Sequence, residues 1–357
     1  MRFPMKRDYY EDIRLFRYRS TLGWYLLLAA AAVVVPPLLG DYVLSQFTFV
    51  CIFSIATTGL MLLTGYTGQV SLGHAAFFAI GAYTSAVLTL KGVPFLLALP
   101  AAGLVAGLVG VLVGLPALRL SGHNLAIATM GMAFIIEEVL VRWESLTKGN
   151  MGLVVNPASI LGFEFNNETR QYYLALAVLV LVMLGARNLL RSPLGRALVA
   201  IRDSEVAAQA MGVALAKHKT MAFALSALLT GMAGSLYAHK IAFINPESFG
   251  IMVSIEFVAM IIVGGLGSLH GAVFGAAFVI FLPQIIIVSK SYLPHYLAEQ
   301  TGLEPALYGL MIVLFILFEP LGLYGRWLKT KFYFEMFPLY KKGAFKRERK
   351  YQKSERR

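Results

Sequence analysis

The feature that most constrains this chain is its succession of apolar runs. Each is near the length, about twenty residues, that a bilayer core demands of a helix. They fall at 23–39, 42–64, 70–90, 94–115, 124–141, 171–190, 219–242, 251–267, 269–289 and 304–323. Little polar chain is left between them: charged residues make up 14% of the whole and hydrophobic ones 58%. A water-soluble domain of 357 residues has the length for a core, but this charge content cannot cover its surface. The expected fold class is therefore all-α, a polytopic membrane helix bundle of about ten segments. The runs 42–64/70–90 and 251–267/269–289 are joined by almost nothing. Eight full spans with glycine-broken or re-entrant pieces fit the pattern as well.

The basic residues set the orientation. Six Lys/Arg precede Gly23, one is Arg119, six lie from Arg187 to Lys219, and twelve follow from Arg326, together 25 of 31. All of these share one side if the segments alternate. The other side keeps Lys91, Arg142, Lys148, Arg170 and Lys290, with Lys240 at a helix end. Lys and Arg in short loops mark the cytoplasmic side, so both termini and 191–219 are expected there. The chain divides accordingly into a cytoplasmic lead (1–22), a transmembrane domain (23–324) and a basic cytoplasmic tail (325–357). Asp8, Glu11 and Asp12 in the lead, with no clean small-x-small cleavage site before Pro36-Pro37, make 23–39 a retained helix rather than a secretory signal. The net charge of +12 needs no nucleic acid, and the tail FKRERKYQKSERR reads as a solvated or membrane-surface segment. Cys51, the single cysteine, has no partner for a disulfide and reads as a small buried hydrophobe.

One polar island interrupts this pattern, RSPLGRALVAIRDSEVAAQAMGVALAKHK at 191–219. Leu194, Leu198, Ile201, Ala208 and Met211 recur at three- and four-residue spacings, which predicts one amphipathic helix over Pro193–Val213, stopped by Gly212. A helix of this kind, outside a membrane bundle, suits docking of a soluble partner. Two glycine clusters also stand out, Gly65-Tyr66-Thr67-Gly68-Gln69 and Gly264-Gly265-Leu266-Gly267-Ser268. Irregular backbone at membrane depth is tolerated only where protein or a water-filled path satisfies it. Similar strings follow both, SLGHA at 71–75 and SLHGA at 268–272. Gly103/Gly107, Gly110/Gly114 and Gly271/Gly275 are spaced to let helix backbones approach closely in lipid.

Ionisable residues in the runs are few. Glu137, Glu138 and Glu256 are expected toward the outer face, where a carboxylate costs less than at mid-membrane. Interfacial placement, or pairing of Glu138 with Arg142 one turn on, competes with a role for one of them at the entrance, meeting a substrate ammonium. His74 supplies too few ligands for a metal site. Pathway lining and helix packing are equally open for His74, Ser71 and Gln69. The 142–170 segment is either a contact for an external protein or a connector. No G-x-x-x-x-G-K-[ST] loop occurs, so the chain lacks the usual cradle for ATP. G-x-S-x-G and H-E-x-x-H are also absent.

The strings LTGYTGQVSLGHAAFFAIGAYTSA (63–86), RLSGHNLAIATMGMAFI (119–135), SPLGRALVAIRDSEVAAQAMGV (192–213), KTMAFALSALLTGMAGSLYAH (219–239) and SIEFVAMIIVGGLGSLHGAVFGA (254–276) resemble the LivM-type permease subunits of ABC importers for branched-chain amino acids. The resemblance covers about 45–325. It implies a transport subunit that is not itself an enzyme, in a bacterial or archaeal cytoplasmic (inner) membrane. The implied partners are a LivH-type sister permease, two ATP-binding cassette subunits and a periplasmic or lipid-anchored binding protein. It implies no cofactor on this chain, ATP and magnesium being held by the ATPase subunits. By the same resemblance Gly195, Arg196, Ala200, Arg202, Asp203, Glu205, Ala208 and Gly212 contact the ATPase or shape that contact. The candidate pathway comprises Gly68, Gln69, Ser71, Gly73, His74, Glu256, Gly264, Gly265 and Gly267. Relatives of the family import urea, amides or other amino acids. An ion-coupled secondary transporter is the competing class, and for that class mid-membrane acids are sparse.

Overall fold

The computed structural model describes residues 19–117, 120, 122–160, 163–290, 303–319 and 321–336. Arg119, most of the N-terminal lead and most of the basic tail lie outside the described residues. Apolar side chains with no water to serve the backbone force helices, whose hydrogen bonds are all internal. Among the described residues, seven helices are long and apolar enough to cross a membrane: Asp41–Tyr66, Phe95–Leu115, His123–Arg142, Glu168–Arg191, Leu215–Ile241, Pro246–Gly264 and Leu269–Ser289. Gly23–Val34 and His74–Leu90 are shorter apolar helices, and Pro305–Phe318 with Gly322–Lys331 forms a pair bent by 45°.

We label the principal helices α1 (Arg19–Val34), α2 (Asp41–Leu60, continued by a π-helical turn Met61–Tyr66), α3 (His74–Leu90), α4 (Phe95–Ala117), α5 (His123–Arg142) and α6 (Glu168–Arg191). Then come α7 (Pro193–Asp203), α8 (Glu205–Ala210), α9 (Leu215–Ile241), α10 (Ile251–Gly264), α11 (Leu269–Lys290), α12 (Leu303–Phe318) and α13 (Gly322–Met336). Three expectations need correction. The run 70–90 is helical only from His74, because Thr67–Gly73 leaves the helix through Gly68 at φ +78°. The run 304–323 is two helices: Glu319 precedes Pro320, and a residue before proline is driven out of helical geometry. The expected single helix over Pro193–Val213 is α7 and α8, parted at Ser204. The bundle is helical apart from two-residue strand pairings such as Leu153 with Ile244.

Helix α9 is the centre, packed against α4, α3 and α2. Gly103, Gly107, Gly110 and Gly114 of α4 follow α9 from Met232 back to Phe223 and Thr220, so these two helices are antiparallel. Helix α3 runs parallel to α9: a Cβ on Gly81 would overlap the backbone of Gly231, and Ser235 donates to Ser85 at 2.8 Å. Between lipid-bathed helices there is little hydrophobic driving force, so close backbone approach of this kind supplies the van der Waals contact that holds them. Rings from Phe53, Phe78, Tyr237, Phe249 and Phe257 fill the space where α2, α3, α9 and α10 meet, with Phe78–Tyr237 centroids 5.0 Å apart. The bundle has two ends. One carries Tyr66, Gly264 and α7–α8; the other carries Lys240, which is buried and paired with Glu168.

Candidate functional site: the polar segment and the two broken spans

The short helices α7 and α8 are built by local capping. Ser192 opens α7, its hydroxyl accepting from Gly195 N at 3.5 Å, and Pro193 occupies the first turn, where its missing N–H costs nothing. Gly195 is buried against Leu190, so the corner between α6 and α7 has no space for a side chain. Leu198 and Ile201 turn inward and are buried, Leu198 in a small cluster with Leu63, Leu125 and Phe223. Ser204 ends α7 and caps α8 in turn, accepting from Ala207 N at 3.3 Å. Gly212 closes α8 at φ +84°, with Gly212 N donating to Gln209 O and Val213 N to Ala208 O, each at 3.0 Å. That pair of bonds is the Schellman arrangement, and it places glycine where the left-handed backbone requires it.

The segment has an inner and an outer face. Ala208 is buried, Ala200 half-buried, and Arg196, Asp203, Glu205 and Gly212 are exposed. Glu205 also reaches back to Lys219, 2.7 Å away, whose side chain is only 6% exposed. A charge that deeply buried requires its partner, so this pair fastens α8 to the start of α9. The outer face carries Val206 at 80% exposure and Met211 at 85%. The three- and four-residue spacing had put Met211 on the apolar inner stripe; the break at Ser204 rotates it outward.

Arg202 does not follow its neighbours. Its Nη1 donates to the Gly65 carbonyl at 3.1 Å, while Nε and Nη2 donate to Asp203 Oδ1 at 3.3 and 3.2 Å. Its stem passes beneath Gly68, where an added Cβ would come within 3.2 Å of Arg202 Cγ. An added Cβ on Gly267 would come within 3.2 Å of Arg202 Nη1. The two breaks also touch each other: Gly267 N donates to Met61 Sδ at 3.2 Å, and a Cβ on Gly65 would lie 2.8 Å from Gly267 N. Gly68, Gly267 and Arg202, read from three distant parts of the sequence, thus form one cluster.

The first break continues inward as an irregular polar segment. Gln69 is buried, and its Oε1 has no hydrogen-bond partner among the described residues. Leu72 N donates to Thr129 Oγ1 at 3.0 Å, and Gly73 lies against the Thr129 carbonyl. His74 is 1% exposed, with Nδ1 2.9 Å from Ser71 Oγ and Nε2 2.6 Å from Ser226 Oγ. Ser226 spends its one proton on the Gly59 carbonyl at 2.7 Å, which can only accept. His74 Nε2 must therefore be the donor and Nδ1 the acceptor. His239 near the other end has the opposite tautomer. Its Nδ1 donates to Asn156 O at 2.7 Å and its Nε2 accepts from Ser85, 3.0 Å away. Ala75 N, at the start of α3, donates to Ser254 Oγ of α10 at 2.9 Å.

The second break is steric instead. A Cβ on Gly264 would overlap the Gly271 carbonyl, and Gly265, at φ +111°, lies against Leu321. Glu256 stands apart from this cluster, half-buried near the opposite end of α10, and forms no ion pair among the described residues. Glu138 pairs with Arg142 on the exposed face of α5. Ser226, Ser254, Thr129 and the Gly65 carbonyl carried no signal in the sequence. Each is an unremarkable residue type, and its partner lies on another helix.

The family model for the permease component of branched-chain amino acid transport systems matches residues 42–317. The high-affinity branched-chain amino acid transport permease LivM of Salmonella typhimurium is 34% identical over 301 residues, which is 77% of this chain and 68% of that protein. LivM of Escherichia coli is 33% identical over 332 residues, 85% of this chain and 76% of its own length. A probable branched-chain amino acid permease LivH of Methanocaldococcus jannaschii is 28% identical over 293 residues, 76% of this chain and 89% of the relative. No solved structure matches the chain.

Proposed function

Since the chain belongs to the family of branched-chain amino acid transport permease components, we propose that it lines, with a LivH-type sister permease, the membrane pathway of an ATP-driven importer. Its substrates are branched-chain amino acids delivered by a periplasmic or lipid-anchored binding protein. The membrane is the cytoplasmic one of a bacterium or archaeon, and the α7–α8 end faces the cytoplasm with both termini. The seven long helices, the shorter α1 and α3 and the bent α12–α13 pair then account for ten crossings.

One observation carries this reading. The chain lacks a phosphate loop of its own, and it presents a capped, two-helix knob with an exposed apolar tip, Val206 and Met211, directly beneath the two glycine breaks that join α2 to α3 and α10 to α11. Two ATP-binding cassette subunits supply the hydrolysis, with ATP and magnesium held there. Their closure moves α7–α8, and the spans that begin at the breaks move with it. Arg196, Ala200, Asp203, Glu205 and Gly212 form or border the docking face. Gly195 and Ala208 hold its shape from inside. Gln69, Ser71, Gly73 and His74 belong to the first break, between α2 and α3, and Gly264, Gly265 and Gly267 to the second, between α10 and α11. Glu256 stands nearer the outer mouth, where a carboxylate suits a substrate ammonium.

Co-purification from cells expressing the whole operon tests the assembly: two ATPase subunits and a second permease should accompany the chain. Val206→Glu, at an 80% exposed position of the knob, should leave the chain folded, uncouple ATP hydrolysis from uptake and weaken ATPase retention. Uptake at the wild-type rate by that variant, or gradient-driven transport by this chain alone in liposomes, would sink the reading.

A further inference from the structure

We propose that Arg202 is the positioning residue that carries motion of α7 into both glycine breaks at once. The inference rests on the coupling reading above and specifies what that reading leaves open, namely where the motion goes. Of the other charged side chains on α7 and α8, Arg196 bonds Arg191 O, Asp203 faces Arg202 and Glu205 pairs with Lys219. Glu205 reaches only the start of α9, through Lys219, whereas Arg202 reaches the breaks themselves and donates to Gly65 O at 3.1 Å.

The physical reason lies in how the two spans end. The π-helical turn stops at Tyr66, and the chain bends back so that Gln69 N bonds Leu63 O at 3.2 Å and Gly68 N bonds Thr64 O at 3.2 Å. The Gly65 carbonyl is left over, as the last carbonyls of a helix always are. Helix α10 stops close by, at Gly264, with Gly265 N on Ile261 O at 3.1 Å. Two helix C-termini therefore converge, each carrying partial negative charge, and a cation is favoured between them. The guanidinium meets that need as a planar fork. Asp203 takes the Nε and Nη2 edge, which fixes the plane, and Nη1 is left aimed at Gly65 O with Gly267 beside it. A Cβ on Gly267 would come within 3.2 Å of Nη1, and one on Gly65 would press on Gly267 N at 2.8 Å, so glycine at both positions is what lets the two breaks close up beside one guanidinium. A shift of α7 along its axis then pulls the end of α2 directly through this bond, and the end of α10 through the Gly267–Met61 contact, beyond what the apolar packing of Leu198 on Leu63 transmits.

The test uses the complete importer in liposomes, with ATPase subunits, sister permease and binding protein present. Val70→Cys serves as a reporter in the irregular segment of the first break, since Val70 is 38% exposed and native Cys51 only 5%. Maleimide labelling at position 70 should change with nucleotide in the otherwise wild-type complex. In Arg202→Ala the ATPase subunits should still co-purify and hydrolyse ATP. Labelling should then ignore nucleotide, and uptake per ATP should fall about tenfold, the order expected for losing a hydrogen bond from a charged group. Arg202→Lys, which keeps a donor but not the fork, should fall between, and decides the matter by the same ratio if the alanine variant does not assemble. Wild-type coupling and labelling in Arg202→Ala would overturn the proposal. So would labelling that never responds to nucleotide. Loss of ATPase co-purification from a folded Arg202→Ala chain would make Arg202 a docking contact instead. Failure of the wild-type chain to retain an ATPase would instead bring down the coupling reading itself.

Discussion

The two glycine breaks run into similar strings and lie at one end of the bundle, yet they are held by opposite means. The first, from Met61 to His74, is wired by polar groups: Thr64, Thr67, Ser71 and His74 each place a side chain on a neighbouring backbone or hydroxyl. The second, from Gly264 to Leu269, is held chiefly by shape, with Gly264, Gly271 and Gly275 bringing α10 and α11 into backbone contact and Ser268 Oγ, accepting from Gly271 N, adding a side-chain oxygen bond. A polar break can exchange one hydrogen-bond partner for another as it moves. A steric break has one close-packed arrangement and resists any added atom. The comparison suggests a fixed hinge at the second break and an adjustable segment at the first.

The largest effect should fall on the steric side. A Cβ at Gly275 would overlap the Met260 carbonyl, so Gly275→Val must push α10 from α11. Overpacking of this kind costs about 3 kcal/mol where backbone cannot yield. Thermal unfolding in detergent should show the variant melting well below wild type, with a poor yield of monodisperse protein. A melting point within a degree or two of wild type would mean that the second break is as yielding as the first.

The polar side should be softer. His74→Leu removes two buried hydrogen bonds and leaves the Ser71 and Ser226 hydroxyls to find other partners. Ser226 keeps its bond to Gly59 O, so the loss should be about 2 kcal/mol, at the middle of the range for an unpaired buried polar group. The same melting experiment reads it. A loss equal to that of Gly275→Val would erase the distinction between the breaks.

Much of this was legible beforehand, and the reasons differ by feature. Apolar runs of membrane length report helices directly, because lipid leaves the backbone no alternative. Glycine spacing at 103/107 and 271/275 reports close packing for the same reason. The run 70–90 misled because periodicity records which residues are apolar, not whether Gly68 lets the chain stay helical. The single helix expected over Pro193–Val213 failed at Ser204, where a serine capable of capping a new helix outweighs continuing periodicity. The cluster of Arg202, Gly65 and Gly267 was invisible, since a leftover carbonyl is created by the fold and has no letter of its own.

The smallest effect on stability should come from the outer face of the polar segment, where the comparison between breaks has no hold. Met211 is 85% exposed and caps α8 by its backbone, so its side chain touches little of this chain. Met211→Ser should therefore shift the melting point by no more than the roughly 0.5 kcal/mol typical of a surface change. An exposed thioether beside Val206 on a charged knob nevertheless offers an adaptable apolar contact to a partner. Retention of the ATPase subunits on a pull-down, measured against the melting curve, separates the two roles. A variant that melts like wild type but releases the ATPase assigns Met211 to the interface. A variant that melts low assigns it to the fold, and the inward stripe expected from its spacing would then have been right after all.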